Sequence, residues 1–185
     1  IRDHKIKGKS ITCGTSPQYF ALNESAIIDY RTFAKVSPPL RSESDRVAVV
    51  EGLKDGTIDV ISSNHDPRSE DLKKLPFEQA APGIVGYETL LPLVLELHHS
   101  AGLSLITILK TITSNPAKIL GLEAGELKIG YPADIIIFNP DSPWRIETKY
   151  FLSEERNSPF DNRPVQGRIS ETIIDGKTVY RRKDK

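Results

Sequence analysis

Asp59-Val-Ile-Ser-Ser-Asn-His-Asp-Pro67 is the stretch of sequence that decides the fold. Ile58, Val60 and Ile61 form an apolar run that predicts a short buried strand, and polar residues crowd its carboxyl end from Ser62 to Asp66. In parallel α/β proteins the loops at that end converge on one face, where binding and catalytic groups are placed. The stretch therefore predicts a functional site directly after a buried strand.

The segments before this stretch predict alternating strands and helices. Ser10–Thr15 is β-prone and is stopped by Ser16-Pro17. Ser44 is the predicted cap of a helix that ends near Gly56, and Thr57–Ser62 is the strand that follows it. Strand, helix and strand in this order predict parallel pairing and an α/β fold.

The second half of the chain changes from helical to β-rich patterning. After a long predicted loop, Asp66–Gly83, helices are expected at Tyr87–Ser100, after the cap Ser104, and at Asn115–Gly121. The later β-prone segments are Glu126–Ile129, Ala133–Phe138, Trp144–Glu147, Ile169–Ile174 and Lys177–Tyr180, with Asp175-Gly176 as a hairpin turn. We therefore predict an α/β part, residues 1–120, and a β-rich part, residues 121–185.

The composition narrows the choice of partners and compartment. Lys plus Arg number 25 and Asp plus Glu number 25, which predicts neither nucleic-acid nor membrane-surface binding. The single Cys13 leaves no internal disulfide and fits the cytoplasm. Charged residues and histidines interrupt the most apolar region, Ile84–Leu109, so no membrane span is predicted. The chain opens at Ile1 and has no methionine, so we expect it to be a fragment.

Six motifs stand in order along nearly the whole chain. They are Ser37-Pro-Pro-Leu-Arg-Ser42, Glu51-Gly-Leu-Lys-Asp-Gly-Thr-Ile-Asp59, His65 with Pro67, Pro82-Gly-Ile-Val-Gly-Tyr-Glu-Thr-Leu-Leu-Pro92, Thr113-Ser-Asn-Pro-Ala-Lys-Ile-Leu-Gly-Leu122 and Gly130-Tyr-Pro-Ala-Asp-Ile135. Together they resemble the C-terminal half of a dihydroorotase, a cyclic amidohydrolase. The first and fourth motifs favour dihydroorotase over hydantoinase or allantoinase relatives.

The resemblance implies a TIM (β/α)8 barrel with a small β-sandwich built from both chain ends. A complete barrel takes about 250 residues. We therefore expect residues 1–120 to supply only its C-terminal βα units, and residues 121–185 to belong to the sandwich. The family's His-x-His motif and other metal ligands would lie outside this sequence, since none of the histidines (His4, His65, His98 and His99) has that spacing.

The resemblance also implies a reaction, the interconversion of N-carbamoyl-aspartate and dihydroorotate in pyrimidine biosynthesis. In the family a zinc-activated hydroxide attacks the ring amide, and a carboxylate at the end of the last barrel strand touches the metal and moves the proton. Asn64 stands at that carboxylate's position here. An amide is a poor proton acceptor and an uncharged, weaker ligand. We therefore expect impaired catalysis and no zinc held by this chain alone.

Nearby residues are candidates for compensating for Asn64 or for binding the substrate. Asp66 is an alternative carboxylate, although its place beyond the strand end argues against it. By the resemblance Ser37 replaces a substrate-binding asparagine, and Arg68 replaces a histidine that holds the substrate carboxylate, which arginine also binds. Pro82 and Gly83 match backbone that contacts substrate, and Ser16-Pro-Gln-Tyr19 corresponds to a Thr-Pro-His-His run.

Each of these residues also has a purely structural interpretation. Asn64 is then a polar residue at a strand end, His65 a hydrogen-bonded buried histidine and Arg68 an exposed charge. Arg41 either anchors the Pro-Pro loop through carbonyls or a carboxylate or contacts the substrate. The remaining structural interpretations are a favourable helix-dipole contact for His98-His99, a buried strand position for Cys13, a solvated face for Glu70–Lys74 and a solvated tail for Arg181–Lys185.

Three functional hypotheses remain open at this point. The chain belongs to an active dihydroorotase, to a non-catalytic dihydroorotase-like subunit that supports aspartate transcarbamoylase, or to a hydantoinase or allantoinase relative. Because a partial barrel leaves apolar surfaces uncovered, we also expect either additional segments outside this chain or association into a homo-oligomer.

Overall fold

The computed structural model describes residues 1–183 of the chain. Its α-helices are α1 Arg2–Ile6, α2 Pro17–Ala21, α3 Glu43–Lys54, α4 Glu70–Lys74, α5 Leu90–His99, α6 Leu105–Ile112 and α7 Ser114–Leu120. Its strands are β1 Gly14–Thr15, β2 Val60–Ile61, β3 Ile135–Arg145, β4 Pro164–Ile174 and β5 Lys177–Arg181. Short 3-10 helices lie at Glu24–Tyr30, Thr32–Ala34 and Thr148–Tyr150.

The first two strands pair in parallel, as the sequence predicts. Gly14 lies opposite Val60, and Thr15 lies opposite Ile61. Both strands are shorter than the predicted segments because only two residues of each find a partner in the described part of the chain. This pair places the carboxyl ends of β1 and β2 side by side.

Helix α3, which precedes β2, begins two residues earlier than the sequence predicts. Its N-cap is Ser42, whose side chain accepts a hydrogen bond from the Asp45 amide. The Asp45 carboxylate accepts in return from the backbone amide of Ser42, which completes a capping box. The prediction of Ser44 as the cap was wrong because only Ser42 has the acidic partner three residues on.

Helix α5 is the centre of the core. Leu93, Val94 and Leu95 are all completely buried, so the helix is covered on every side at this point. It begins at Leu90 rather than at the predicted Tyr87. The predicted cap of the next helix is confirmed, since the Ser104 side chain accepts from the Thr107 amide. The helix predicted to reach Gly121 ends there, with Gly121 in the left-handed conformation.

Strands β3, β4 and β5 form an antiparallel sheet. Asp175 and Gly176 have φ angles of 49° and 73° and join β4 to β5 in the predicted two-residue turn. The predicted strand Glu126–Ile129 was wrong. Leu127 is 87% exposed, and the segment finds no strand partner among residues 1–183, so no ladder forms there.

The sheet packs directly against α5. The Arg163 guanidinium, just before β4, donates to both carboxylate oxygens of Glu96 on α5 at 2.9 and 2.8 Å. A domain boundary near residue 120 stays a prediction. No helix in residues 1–183 has the length and apolarity needed to cross a membrane. In the predicted C-terminal tail, Arg181 belongs to β5 and bonds Glu171, whereas Asp184 and Lys185 lie outside the described residues.

Candidate active site

The carboxyl ends of β1 and β2 carry a pair of hydroxyl groups. Ser16 follows β1 and Ser62 follows β2, and their Oγ atoms lie 3.1 Å apart. The Ser62 amide also donates to the Thr15 carbonyl at 2.9 Å, which extends the parallel pairing by one bond. These contacts place the polar stretch after β2 at the edge where parallel folds build their sites.

Asn64 occupies a left-handed backbone position at this edge. Its φ angle is 48°, a conformation that asparagine and aspartate tolerate better than other side chains with a Cβ atom. The side chain is partly buried and makes no hydrogen bond to any residue in 1–183. Its amide is therefore left to contact a ligand or residues outside this chain.

His65 is used to hold the neighbouring chain segment. Its Nδ1 atom accepts hydrogen bonds from the amides of Gly86 and Tyr87 at 3.2 and 3.4 Å, so the ring proton resides on Nε2. The Tyr87 ring stacks on the imidazole with a centroid distance of 3.9 Å and an interplanar angle of 4°. This geometry agrees with the hydrogen-bonded interpretation of His65 and leaves Nδ1 with no lone pair for a metal.

Asp66 and Arg68 form an ion pair immediately beyond the strand end. The Arg68 Nη2 atom lies 2.8 Å from Asp66 Oδ2, and Arg68 Nε donates to the Pro82 carbonyl at 2.9 Å. The guanidinium therefore already binds one carboxylate and one carbonyl. Its Nη1 group is the part that stays free of hydrogen bonds within residues 1–183.

The Ala81–Gly83 segment lies against this pair. Gly83 has a φ angle of 130°, and a Cβ atom there would sit 2.5 Å from the Asp66 carbonyl oxygen, so both backbone and space require glycine. The Gly83 amide donates to the Lys35 carbonyl, and the Ala81 amide donates to the Leu72 carbonyl. Since proline has no N–H, this segment has no free amide donor for a ligand, and its carbonyls can only accept.

Three residues of the Pro-Pro-Leu-Arg motif, Pro38, Pro39 and Arg41, line a small hollow. Ser37 is exposed and makes no hydrogen bond to the described residues, while the Tyr19 hydroxyl donates to the Pro38 carbonyl at 2.8 Å. Burial raises the pKa of the Tyr19 phenol above its ordinary value. Arg41 is mostly exposed and lies 3.8 Å from Asp45. Tyr19, Pro38 and Arg41 border a cavity of about 210 Å³ together with residues from β1 and α3, whereas Ser37 does not line it.

Comparison with known proteins identifies the family. A family model described as the amidohydrolase family matches residues 8–179. This chain belongs to the amidohydrolase family. As an amidohydrolase, it is 47% identical over 181 residues to a protein named dihydroorotase from Anaplasma phagocytophilum and 44% identical over 182 residues to one from Geotalea daltonii. The resemblance to dihydroorotases that the motifs predict is confirmed by these matches.

The relatives are longer than this chain. Each of these two alignments covers 98% of this amidohydrolase chain but only 40% and 43% of the relatives' own lengths. Among solved structures, L-hydantoinase (dihydropyrimidinase) from Arthrobacter aurescens matches with a TM-score of 0.91 and 29% identity, covering 98% of this chain and 42% of that one. D-Hydantoinase from a Thermus species matches with a TM-score of 0.87 and 22% identity, covering 97% and 41%, and so supports the α/β fold alone.

Zinc, which the family resemblance implies, does not fit the donor set of this chain. No group of three or more His, Cys, Asp or Glu side chains in residues 1–183 is arranged to hold a metal ion. Asn64 offers only a neutral amide, Nδ1 of His65 accepts two hydrogen bonds, and Asp66 is paired with Arg68. We therefore assign no metal-dependent step to these residues.

Other predicted positions lie away from the strand ends. His98 Nδ1 lies 2.7 Å from the Leu103 carbonyl oxygen, and His99 Nε2 lies 3.2 Å from that of Pro140, both at the end of α5. The half-buried Cys13 thiol donates to the Thr57 carbonyl at 3.1 Å. The two histidines lie in the last turn of α5, as the helix-dipole interpretation requires. Cys13 lies just before β1 and is only half-buried, so the prediction of a buried strand position was wrong.

Sequence reasoning missed three buried polar side chains near the site. Asn157 donates to the Gly83 carbonyl and accepts from the Arg68 amide, although 74 residues separate it from Gly83. Gln18, on α2, is completely buried, and neither atom of its amide has a hydrogen-bond partner in residues 1–183. The third is Lys73. No local pattern distinguishes any of them, although Gln18 falls in the Ser-Pro-Gln-Tyr motif.

Lys73 corrects the prediction of a solvated face over Glu70–Lys74. It lies on α4, inside the predicted loop, and is completely buried, with 0% accessible surface. Its Nζ atom donates to the carbonyls of Ala81, Gly83 and Lys35 at 2.9, 3.1 and 3.4 Å. The prediction was wrong because an alternating charge run does not reveal which lysine meets backbone carbonyls.

Proposed function

We propose that this chain is the C-terminal portion of a dihydroorotase, which interconverts N-carbamoyl-aspartate and dihydroorotate in pyrimidine biosynthesis. The observation that carries the proposal is the 47% identity, over 98% of the chain, to a relative named dihydroorotase. The L-hydantoinase structure matches at 29% identity, so a hydantoin-cleaving activity is the weaker candidate. The residues outside this chain would complete the barrel and supply the zinc ligands.

The types of hydrogen-bonding group at the site support a cyclic amide as the ligand. In the Ala81–Gly83 segment the carbonyls of Ala81 and Pro82 each accept one hydrogen bond and keep a second lone pair, which suits the N–H edge of a ring amide. The Arg68 guanidinium, beside it, suits a carboxylate. Dihydroorotate carries ring N–H groups and one carboxylate, whereas unsubstituted hydantoin lacks the carboxylate. Ser37 would contact the same ligand from the Pro-Pro-Leu-Arg loop.

The domain assignment forms part of this proposal. Residues 1–120 would be the last βα units of a (β/α)8 barrel, with β1 and β2 as neighbouring barrel strands, and residues 121–185 would join a β-sandwich. The whole protein would work in the cytoplasm on a small-molecule substrate.

Turnover assays on the full-length protein test the proposal. Purified protein supplied with zinc should convert dihydroorotate to N-carbamoyl-aspartate. The reaction is monitored by the loss of absorbance of the ring amide. Hydantoin and allantoin at the same concentration serve as the comparison substrates. Faster turnover of either one would contradict the assignment to dihydroorotase.

The second candidate is a non-catalytic dihydroorotase-like subunit that supports aspartate transcarbamoylase. Asn64 favours it, because an amide stands where the family places a proton-accepting carboxylate. General base catalysis contributes roughly 10²- to 10⁴-fold to the rates of enzymes that use it. A binding role for a protein partner would survive that loss.

The Asn64→Asp variant separates the two candidates. Aspartate fits the left-handed backbone at this position as well as asparagine does, so the variant should fold normally. If the rest of the site is intact in the full-length protein, we expect dihydroorotate turnover to rise by about 10²-fold or more. Zinc content, measured in parallel, should rise towards one or two ions per subunit. Unchanged turnover together with co-purification of a transcarbamoylase would favour the non-catalytic subunit.

A further inference from the structure

The buried ammonium of Lys73 forms no ion pair with a carboxylate within residues 1–183. All three of its hydrogen bonds in residues 1–183 go to backbone carbonyls, at 2.9 Å to Ala81, 3.1 Å to Gly83 and 3.4 Å to Lys35. Burying a charged group without an opposite charge is unfavourable, and an apolar side chain of similar length would fill the same space at lower cost. Packing alone therefore does not explain why a lysine occupies this buried position.

The three carbonyls belong to the two loops that carry the proposed ligand contacts. Ala81 and Gly83 flank Pro82, whereas Lys35 lies two residues before Ser37. The two loops also bond each other, since the Gly83 amide donates to the Lys35 carbonyl at 3.0 Å. The Lys73 ammonium thus donates hydrogen bonds to both loops.

The helix that presents Lys73 is itself anchored to the same structure. The Thr32 hydroxyl donates to the Lys73 carbonyl at 2.5 Å, and the Ala81 amide donates to the Leu72 carbonyl at 3.2 Å. The Lys35 ammonium cannot replace Lys73, because it is occupied by the carbonyls of Phe77 and Glu78. The ammonium of Lys73 therefore holds the two loops together alongside the direct bond from the Gly83 amide to the Lys35 carbonyl.

We propose that Lys73 is a positioning residue that holds the Pro82–Gly83 backbone and the loop bearing Ser37 in the arrangement that binds the cyclic amide. This inference rests on the proposed function for the identity of the ligand. Lys73 touches neither ligand nor reacting atoms in this role, and acts only through the carbonyls that it orients.

The Lys73→Met variant of the full-length protein tests this role, with Lys74→Met as the matched control. Lys74 is the next residue, is exposed, and pairs with Glu70 across one helical turn. Methionine keeps most of the length of lysine and removes all three donors. We expect Lys73→Met to raise KM for dihydroorotate by about tenfold, the effect of about one lost hydrogen bond, with a smaller change in kcat. Lys74→Met should leave both constants unchanged.

Amide hydrogen exchange supplies a readout that does not require activity. The Gly83 amide should exchange at least about tenfold faster in Lys73→Met than in Lys74→Met, because its acceptor loop is released. Lys73→Gln, which retains amide donors, should recover part of both effects. If Lys73→Met does not fold, Lys73→Gln compared with Lys74→Gln carries the same test.

The outcomes separate this inference from the proposed function. Native exchange at Gly83 and native KM in a folded Lys73→Met protein would overturn the role of Lys73. Failure of the unmodified protein to bind dihydroorotate, with faster exchange in Lys73→Met, would contradict the proposed ligand while leaving the contact between lysine and loops in place.

Discussion

At the scale of single residues, the main feature of the site is that Arg68 already has a carboxylate partner. Asp66 lies 2.8 Å from its guanidinium, and both side chains are partly exposed. Exposed ion pairs contribute only about 0.2–1 kcal/mol, so such a partner competes with a ligand carboxylate without excluding it. The pair therefore lowers the affinity of the proposed site for an acidic ligand.

Removing the charge of Asp66 should strengthen ligand binding. In Asp66→Asn the guanidinium loses its internal carboxylate, so we expect the affinity for N-carbamoyl-aspartate to rise about 2- to 5-fold, measured by titration calorimetry. Glu70→Gln, which frees the exposed Lys74 in the same loop, is the control and should have no effect. Weaker binding in Asp66→Asn would show that Asp66 contacts the ligand directly.

At the scale of elements, the first turn of α3 stabilises the connection between β1 and β2. The helix spans 12 residues, and the capping box of Ser42 and Asp45 satisfies amides that have no partner within the helix. Arg46 fastens its first turn to α2 by donating to the Phe20 carbonyl at 2.9 Å. The cap thus stabilises the connection that brings the two strand ends together.

Truncating the cap should destabilise the fold measurably. Ser42→Ala removes the acceptor for the Asp45 amide, so we expect the free energy of unfolding to fall by about 1 kcal/mol. Ser44→Ala, at the position that the sequence suggests as cap, should cost less than about 0.5 kcal/mol. Urea denaturation of both variants gives the comparison, and a larger effect at Ser44 would contradict the capping geometry.

At the scale of the whole molecule, one ion pair links the β-rich part to the central helix. Arg163 and Glu96 are 67 residues apart and bond through two parallel hydrogen bonds at 2.9 and 2.8 Å. Both side chains are partly buried, with 32% and 23% of their surface accessible. Such bidentate geometry in a partly buried place is stronger than an ordinary surface pair.

Neutralising Glu96 should therefore weaken the packing of the β-rich part against α5 and destabilise the fold. We expect Glu96→Gln to lower the free energy of unfolding by about 1.5–3 kcal/mol, the range for hydrogen bonds to charged groups. The exposed pair of Glu51 and Lys54 supplies the control, because Glu51→Gln should change stability by less than about 0.5 kcal/mol. Equal losses in the two variants, measured by denaturant titration, would contradict the special role of the Arg163 pair.

Burial of Lys73 should also make the stability of the molecule depend on pH. Burial, together with the positive charges of Lys35 and Arg68, lowers the pKa of Lys73 from 10.5 to about 8, and the negative charge of Asp66 opposes this shift. Between these two pKa values the unfolded chain keeps the proton that the folded chain has lost. The free energy of unfolding therefore gains a contribution that rises with pH from about 8 to 10.5, with a slope of at most about 1.4 kcal/mol per pH unit.

The Lys73→Met variant isolates this contribution, because other titrating groups affect both proteins equally. The difference in unfolding free energy between the unmodified protein and Lys73→Met should shift in favour of the unmodified protein as the pH rises from 8 to 10.5. Urea titrations at intervals of half a pH unit would measure it. A constant difference across this range would show that Lys73 keeps its ordinary pKa.

Patterns within short stretches of sequence predicted many of the elements. The parallel strands, the cap at Ser104 and the Asp175-Gly176 turn each depend on neighbouring residues, so their signals are local. The predicted strand at 126–129 failed because a strand also needs a partner elsewhere in the chain. The positions of Asn64, His65 and Arg68 after β2 followed from the same local order.

The sequence alone determined the amidohydrolase family, the order of the main elements and the amide at position 64, since each is a property of residue order. Only the tertiary structure decided that Asp66 pairs with Arg68, that Ala81–Gly83 has no free amide donor, and that Lys73 is buried. These features arise from hydrogen bonds whose geometry depends on how distant loops meet. Lys73 and Lys35 illustrate this, because 38 residues separate a donor from its acceptor.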